Sequence, residues 1–296
     1  NARTFSPREL ADHAATLLAR QTNGLWGGRP TEVENAWGRR LVRDLRENEC
    51  TPAGVFAAVL QRLAQDAGKP FACERTPRNI FYARRLLELY PNARVVHIVR
   101  DPRAVLASQK NRWKHVQLGS YGIPVTEMLR SRVNYHSITM SKLWARATEE
   151  ALSLEGHARF MLLRFEDLVA DHAAGVRRLC AFLGLQFEPE MIDVPRWGTS
   201  PGDQESESND TSPDAINKWR SSLSAGETLI CERINHRMML RFGYKPEFLG
   251  RQPPPSRIPS LLSYPLHVAG VLALNPLRAW TQLRAMIRSR AEGHRD

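Results

Sequence analysis

The chain has 296 residues, 42% apolar and 25% charged, which excludes a disordered or fibrous protein and leaves length enough for a sizeable core. Its 42 Lys and Arg against 31 Asp and Glu leave a net charge of +11, a balance that suits a nucleotide, an acidic glycan or peptide, or an anionic lipid surface. The four cysteines (Cys50, Cys73, Cys180 and Cys231) have no His or Cys at ligand spacing, so no metal site is expected, and Cys180 reads as a buried reduced thiol.

In chain order, Ser6-Pro7-Arg8-Glu9 carries a cap, a proline at the first helical position and an acidic residue at the third, and starts a first helix. A second helix is expected from about Glu32 to Leu45. A third opens at Thr51-Pro52 with Val55, Phe56, Val59, Leu60 and Leu63 on one face. Pro70 to Glu74 reads as a short strand, followed by a helix from about Asn79 to Tyr90. Val95 to Val99 is β-branched and almost wholly apolar, which predicts a strand buried on both faces. Asp101 and Pro102 then cap and open a helix to about Trp113.

A long helical region follows from about Thr126 to Glu155. Phe160 to Phe165 is a third strand candidate, and a helix through Leu179 and Leu183 stops at Gly184. Gly198 to Pro213 is a loop by composition. Another helix runs from about Ala225 to Phe242, and Gln252-Pro253-Pro254-Pro255 reads as a linker. The tail beyond it is basic, with an apolar stretch from Leu261 to Trp280. Pro265, His267, Asn275 and Pro276 within that stretch argue against a membrane span. Packing on the domain or a peripheral membrane contact is the expectation.

Strand–helix–strand order implies parallel pairing, which brings polar residues at strand ends to one rim of the sheet. Arg100 ends one such strand. Ser108 and Arg112 share a face of the helix that follows, so two guanidinia and a hydroxyl can converge on one tetrahedral anion. Glu74 and Arg75 end the preceding strand candidate, offering a base and a cation at the same rim. The plain alternative for Glu74 is an ion pair with Arg75, Arg78 or Arg100. His97 reads as a core or rim histidine. His115 and Tyr121 read as solvated loop positions, with the lining of an acceptor cleft as the alternative.

Arg100 with Ser108 eight residues on resembles the 3′-phosphate-binding element of the sulfotransferases that use 3′-phosphoadenosine 5′-phosphosulfate (PAPS). Arg112 matches a further Arg of the tyrosylprotein members. Glu74-Arg75-Thr76-Pro77 is similar to the Glu-Lys-Thr-Pro element of heparan sulfate sulfotransferases, in which the Glu is the catalytic base and the Lys contacts the donor; here Arg replaces the Lys. The segment also resembles the Cys-Asn-Lys-Asp-Pro element of the tyrosylprotein enzymes, whose base lies elsewhere. Arg164-Phe165-Glu166-Asp167-Leu168 is similar to a family Tyr-Glu-Asp-Leu strand end, with Phe165 for the Tyr, and Glu166 and Asp167 read as structural caps. Lys218-Trp219 resembles a Lys-Trp pair near the family's nucleotide lid, with Ser206 or Ser208 a loop contact.

The resemblance implies an α/β fold, a parallel sheet flanked by helices and related to P-loop NTPases, lacking its first strand. The family's phosphate-cradling Arg-Ser-Gly-Thr-Thr loop has no counterpart; Gly27-Gly28-Arg29-Pro30 is the nearest stretch. An N-terminally incomplete sequence is therefore expected. The expected organisation is a sulfotransferase domain over 1–250, with a helical region over 1–69 and a nucleotide-binding core over 70–245, then a Pro-rich linker with basic tail over 251–296. The implied function is sulfuryl transfer from PAPS to a hydroxyl or amine. Glu74 and Arg75 are catalytic, and Arg100, Ser108, Arg112, Lys218 and Trp219 bind the nucleotide. The alternative is a non-catalytic or truncated phosphate-binding module of the same fold. Nucleic acid is ranked last for want of interleaved aromatic and basic residues, and a P-loop kinase lacks its motif. The cytoplasm is the expected compartment.

Overall fold

The computed structural model describes residues 5–23, 29–115, 125–192 and 216–275. They fall in two compact units, divided between Asn79 and Ile80.

The first unit is helical: α1 (Pro7–Asn23), α2 (Glu32–Asp44) and α3 (Pro52–Asp66). The expected capping box opens α1, with the Glu9 amide donating to Ser6 Oγ at 3.2 Å and the Ser6 amide to Glu9 Oε2 at 2.9 Å. Thr51 caps α3 through the Gly54 amide at 3.0 Å. Leu10, Ala11, Ala14, Val42, Val55 and Val59 form the core. Gly38 lets α2 lie against α1, because a Cβ there would run into the Ala11 carbonyl oxygen. Residues 70–76 have no regular secondary structure and form no strand, which corrects the expectation for Pro70 to Glu74. A strand exists only through ladder bonds to a neighbour, and this segment has none among the described residues; Phe71 is correspondingly exposed.

A 3₁₀ turn at Pro77–Tyr82, which starts in the first unit and ends in the second, leads into α4 (Ala83–Leu89), where the sequence pattern predicts one helix. β1 (Val95–Val99) and β2 (Phe160–Arg164) pair in parallel, Val95 opposite Phe160 and Val99 opposite Arg164. Between them run α5 (Pro102–His115), α6 (Val125–Val133) and α7 (Ser137–Leu152). The helical region expected from about Thr126 to Glu155 is present and consists of two helices, α6 and α7. His136 ends the break by capping α7, its Nδ1 accepting the Ile138 amide at 3.2 Å. Parallel strands joined by helices make this an α/β fold.

The expectation that β1 is buried on both faces is only half right. Val99 is buried, but Ile98 is 50% exposed. Side chains alternate along a strand, and the face carrying Ile98 is covered unevenly, since its partner Leu163 is buried while Ile98 is not; the face carrying Val95 and Val99 is packed by helices. On that face Val95, Phe160 and Leu162 meet Ile80, Ala83, Leu87 and Ala151, while Val99 meets Trp144, Met239 and Phe242. After β2 come α8 (Phe165–Ala170) and α9 (His172–Leu183), closed by Gly184 at φ 72°, a left-handed C-cap. Short α10 (Trp219–Ser222), α11 (Ala225–Arg241) and α12 (Arg257–Leu274) complete the unit. Cys180 is buried and free, as expected, and burial pushes the Cys231 thiol up to about 12.

Candidate nucleotide-binding rim

Parallel pairing brings Arg100 to Asp101 and Phe165 to Asp167 to the same carboxyl-terminal rim, where α/β sheets bind ligands. The two strand ends are tied together directly. The Asp101 amide donates to Glu166 Oε1 at 3.0 Å, and Tyr244 OH donates to Glu166 Oε2 at 2.7 Å. Glu166 is therefore structural, as expected, yet it acts as a bridge between strand ends rather than as a helix cap. Burial, then the Glu166 carboxylate, push the Tyr244 hydroxyl well above its ordinary pKa.

Asp101 caps α5 as its sequence predicts, its Oδ1 accepting the Arg103 amide at 2.8 Å. It also holds the Arg103 side chain, Nη2 to Oδ2 at 2.7 Å. Arg103 then reaches Glu232 Oε1 and the Lys245 carbonyl, both at 3.0 Å, and lies 4.2 Å over the Trp219 ring. Glu232 is 0% exposed and also accepts the amides of Glu247, Phe248 and Leu249. A buried carboxylate is tolerated at that depth because each oxygen has partners. Burial opposes the charge on Arg103, but Asp101 and Glu232 more than offset it and raise its pKa.

Arg100 has the opposite surroundings. Its carbonyl accepts Trp144 Nε1 at 3.0 Å, which pins the backbone, and its guanidinium stacks 4.4 Å over the Phe165 ring. Its Nε is buried with no hydrogen-bond partner. Burial lowers its pKa from the usual arginine range, with Glu166 and Asp101 opposing that trend. Arg164 Nε is likewise unpartnered, but the Arg164 Nη1 group is paired with Asp167 at 2.8 Å. Arg100 has no ion pair among the described residues. Arg100 is thus a half-buried guanidinium whose Nε retains an unused donor.

Ser108 is exposed, two turns into α5. Arg112 lies one turn further along the same helix, and its side chain is outside the described residues, as is that of His115. Lys218 is exposed just before α10. Trp219 is 3% exposed, packed on Ala104, Ala107 and Leu223, with the Arg220 guanidinium 4.6 Å from its ring. Its burial makes it an anchor for the turn that carries Lys218. Ser206, Ser208, Tyr121 and Gly27-Gly28 lie outside the described residues.

Glu74 and Arg75 belong to the first compact unit and are both exposed. The Glu74 carboxylate accepts the Thr76 amide at 3.0 Å, together with the Thr76 hydroxyl and the Asn79 side-chain amide. It thus closes a local turn, and neither Arg75 nor Arg78 lies at ion-pair distance from it. His97 is half-buried in β1, and burial lowers its pKa to about 4.

Two elements escape sequence reasoning. Arg103 and Glu232 are 129 positions apart, and no local pattern marks either as buried. Phe165 reads from the sequence as a packing or stacking residue, but that its ring lies under Arg100 depends on strand pairing. At the opposite, amino-terminal end of the strands, Arg84, Leu87, Glu88, Leu154, His157 and Arg159 line a cavity of about 210 Å³. There Arg159 donates to the carbonyls of Leu87 and Tyr90 at 2.7 and 2.9 Å, a structural use of its charge. No group of His, Cys, Asp and Glu suited to a metal ion occurs among the described residues.

The Sulfotransferase family model matches residues 4–189, more than half of the chain. Carbohydrate sulfotransferase 6 of Homo sapiens is 30% identical over 178 residues, 53% of this chain and 43% of that protein. Sulfotransferase 2A1 of Rattus norvegicus is 32% identical over 106 residues, 34% of this chain and 35% of its own length. The chain therefore matches less than half the length of these relatives. The sulfotransferase domain from the curacin biosynthetic pathway overlays with a TM-score of 0.44 at 18% identity, covering 81% of this chain and 79% of that domain. On the family match, the chain belongs to the sulfotransferase family.

Proposed function

We propose that this chain binds PAPS through its 3′-phosphate at the rim formed by Arg100, Ser108 and Arg112, and transfers the sulfuryl group to a hydroxyl or amine. The observation that carries this reading is the buried, unpartnered Nε of Arg100, fixed over Phe165 at the end of β1. A phosphate monoester offers three acceptor oxygens and suits two guanidinia and a hydroxyl better than a carboxylate does. Lys218 adds a cation beside it, and Trp219 holds the turn that carries Lys218. The donor supplies an activated sulfuryl group: the acceptor oxygen or nitrogen bonds to sulfur as the bond from sulfur to the 5′-phosphate oxygen breaks.

The proton lost by the acceptor goes to Glu74 in this reading. Its bonds to Thr76 and Asn79 hold the carboxylate in one orientation, as a general base requires. Arg75 offsets charge growing on the leaving phosphate. A guanidinium does this without giving up a proton, since its pKa is too high for general-acid catalysis. The excess of basic residues suits an acidic acceptor such as a glycan or peptide.

Thermal denaturation with adenosine 3′,5′-bisphosphate tests the rim. The bisphosphate is expected to raise the melting temperature and adenosine 5′-phosphate to leave it unchanged. Arg100→Ala is expected to abolish the shift and Ser108→Ala to reduce it. Equal shifts from both nucleotides, or a full shift in Arg100→Ala, would remove the 3′-phosphate assignment. Glu74→Gln is expected to keep nucleotide binding and to lower turnover by about 100-fold or more. Turnover that survives the change points to another base.

A further inference from the structure

Helix α12 is built inside out. Ser260, Tyr264 and His267 face the protein, where Thr139 Oγ1 lies 2.9 Å from His267 Nε2 and the Tyr264 ring lies 5.0 Å from that of His136. Ser263 Oγ is 3.2 Å from His136 Nε2, and the Gly226 amide donates to Ser256 Oγ at 2.9 Å. The aliphatic side chains point the other way. Ile258, Leu262 and Leu266 recur every four residues and are 56%, 71% and 76% exposed, with Leu261, Val268 and Leu272 beside them. At 1.5 Å per residue the stripe is roughly 21 Å long. Helices that merely pack on a soluble domain place their faces the other way round.

The sequence sharpens what such a face would meet. No Asp, Glu, Lys or Arg occurs between Ile258 and Leu277, so the stripe carries no charge. Immediately afterwards come Arg278, Arg284, Arg288, Arg290 and Arg295, against only Glu292 and Asp296. An uncharged aliphatic stripe continued by clustered arginines is the chemistry of an interfacial helix on anionic lipid. Crossing a bilayer is a different matter: no described helix is long and apolar enough, and the inner face is tied to the protein by side-chain hydrogen bonds. We propose that α12 docks this chain on the surface of an anionic membrane, the aliphatic stripe entering the headgroup boundary and the arginines of the C-terminal segment pairing with lipid phosphates.

Co-sedimentation of the full chain with lipid vesicles tests this, at about 0.1 M salt to limit non-specific attraction. Vesicles of phosphatidylcholine containing about 30% phosphatidylglycerol are expected to bind the protein, and pure phosphatidylcholine to bind it at least about tenfold more weakly. Leu262→Asp with Leu266→Asp is expected to abolish binding while leaving the melting temperature unchanged, because both side chains are exposed. The milder Leu262→Ser with Leu266→Ser serves if the aspartates disturb folding. Arg284→Glu with Arg288→Glu is expected to weaken binding at least tenfold. Binding that persists in the leucine variants, or equal binding to both vesicle types, overturns the proposal. So does a lipid-independent dimer, seen by analytical ultracentrifugation and lost in Leu262→Asp, which would make the stripe an interface between copies of this chain.

Discussion

Arg100 and Arg103 stand three residues apart at the same strand-to-helix junction, yet the fold treats them in opposite ways. Arg103 is enclosed by Asp101, Glu232, the Lys245 carbonyl and the Trp219 ring, so its charge is fully answered within the protein. Arg100 is anchored by its carbonyl and stacked on Phe165, with its Nε left without a partner. The first arrangement fastens α10 and α11 to the sheet rim. The second leaves one donor open at that rim. The contrast teaches that neighbouring arginines of one motif serve differently: burial with partners makes a strut, and burial without them leaves a donor open to a ligand.

The largest effect should come from breaking the strut. Glu232→Ala takes one of the two carboxylates from Arg103 and leaves three backbone amides without their acceptor in the interior, and a loss of about 3–5 kcal/mol is expected in denaturant unfolding. Arg103→Ala should fall in the same range. A loss under about 1 kcal/mol in both would show that the network is not the fastening described above.

Acid should weaken the strand that leads into both arginines. His97 has a folded pKa of about 4 against an ordinary 6.5, so the unfolded chain binds a proton more readily than the folded one. Its contribution is intact above about pH 6.5 and is lost as pH falls toward 4, about 2 kcal/mol for a half-buried group. His97→Gln should flatten that region of the stability–pH curve.

Removing Arg100 should cost little stability. Arg100→Ala gives up its stacking on Phe165, about 1 kcal/mol or less in unfolding, even though it is expected to abolish the nucleotide-induced shift. A loss comparable with that of Arg103→Ala would erase the distinction between the two arginines. The smallest effect sharpens it. Glu166→Gln removes a carboxylate that stabilises the Arg100 charge, so a phosphate no longer competes with it. Affinity for adenosine 3′,5′-bisphosphate should rise about two- to threefold, measured by calorimetry.

Much of this was legible in the chain because it is local. Ser6 with Glu9, Asp101 with Pro102, Thr51 with Pro52 and the terminating Gly184 all act within a few residues of their partners. The two strands declared themselves by β-branched and apolar runs. Local pattern fails where an element depends on a neighbour: Pro70 to Glu74 has strand composition but no ladder, and Ile98 is apolar yet uncovered. The site divides in the same way. Arg100 and Ser108 follow from one strand-and-helix unit, whereas the Phe165 platform requires β1 and β2 to pair in register.

By itself, then, the sequence determined the capped helix ends at Ser6, Thr51, Asp101 and Gly184, the strand pair and the spacing of Arg100, Ser108 and Arg112, since each rests on periodicity and capping within a few turns. Only the tertiary structure decided which arginine is answered and which is left open, that Trp219 is buried, and that α12 turns its polar side inward. Those outcomes depend on contacts across more than a hundred residues, such as Arg103 with Glu232 and Thr139 with His267, and a side chain's partners at that range are set by packing rather than by its neighbours in the chain.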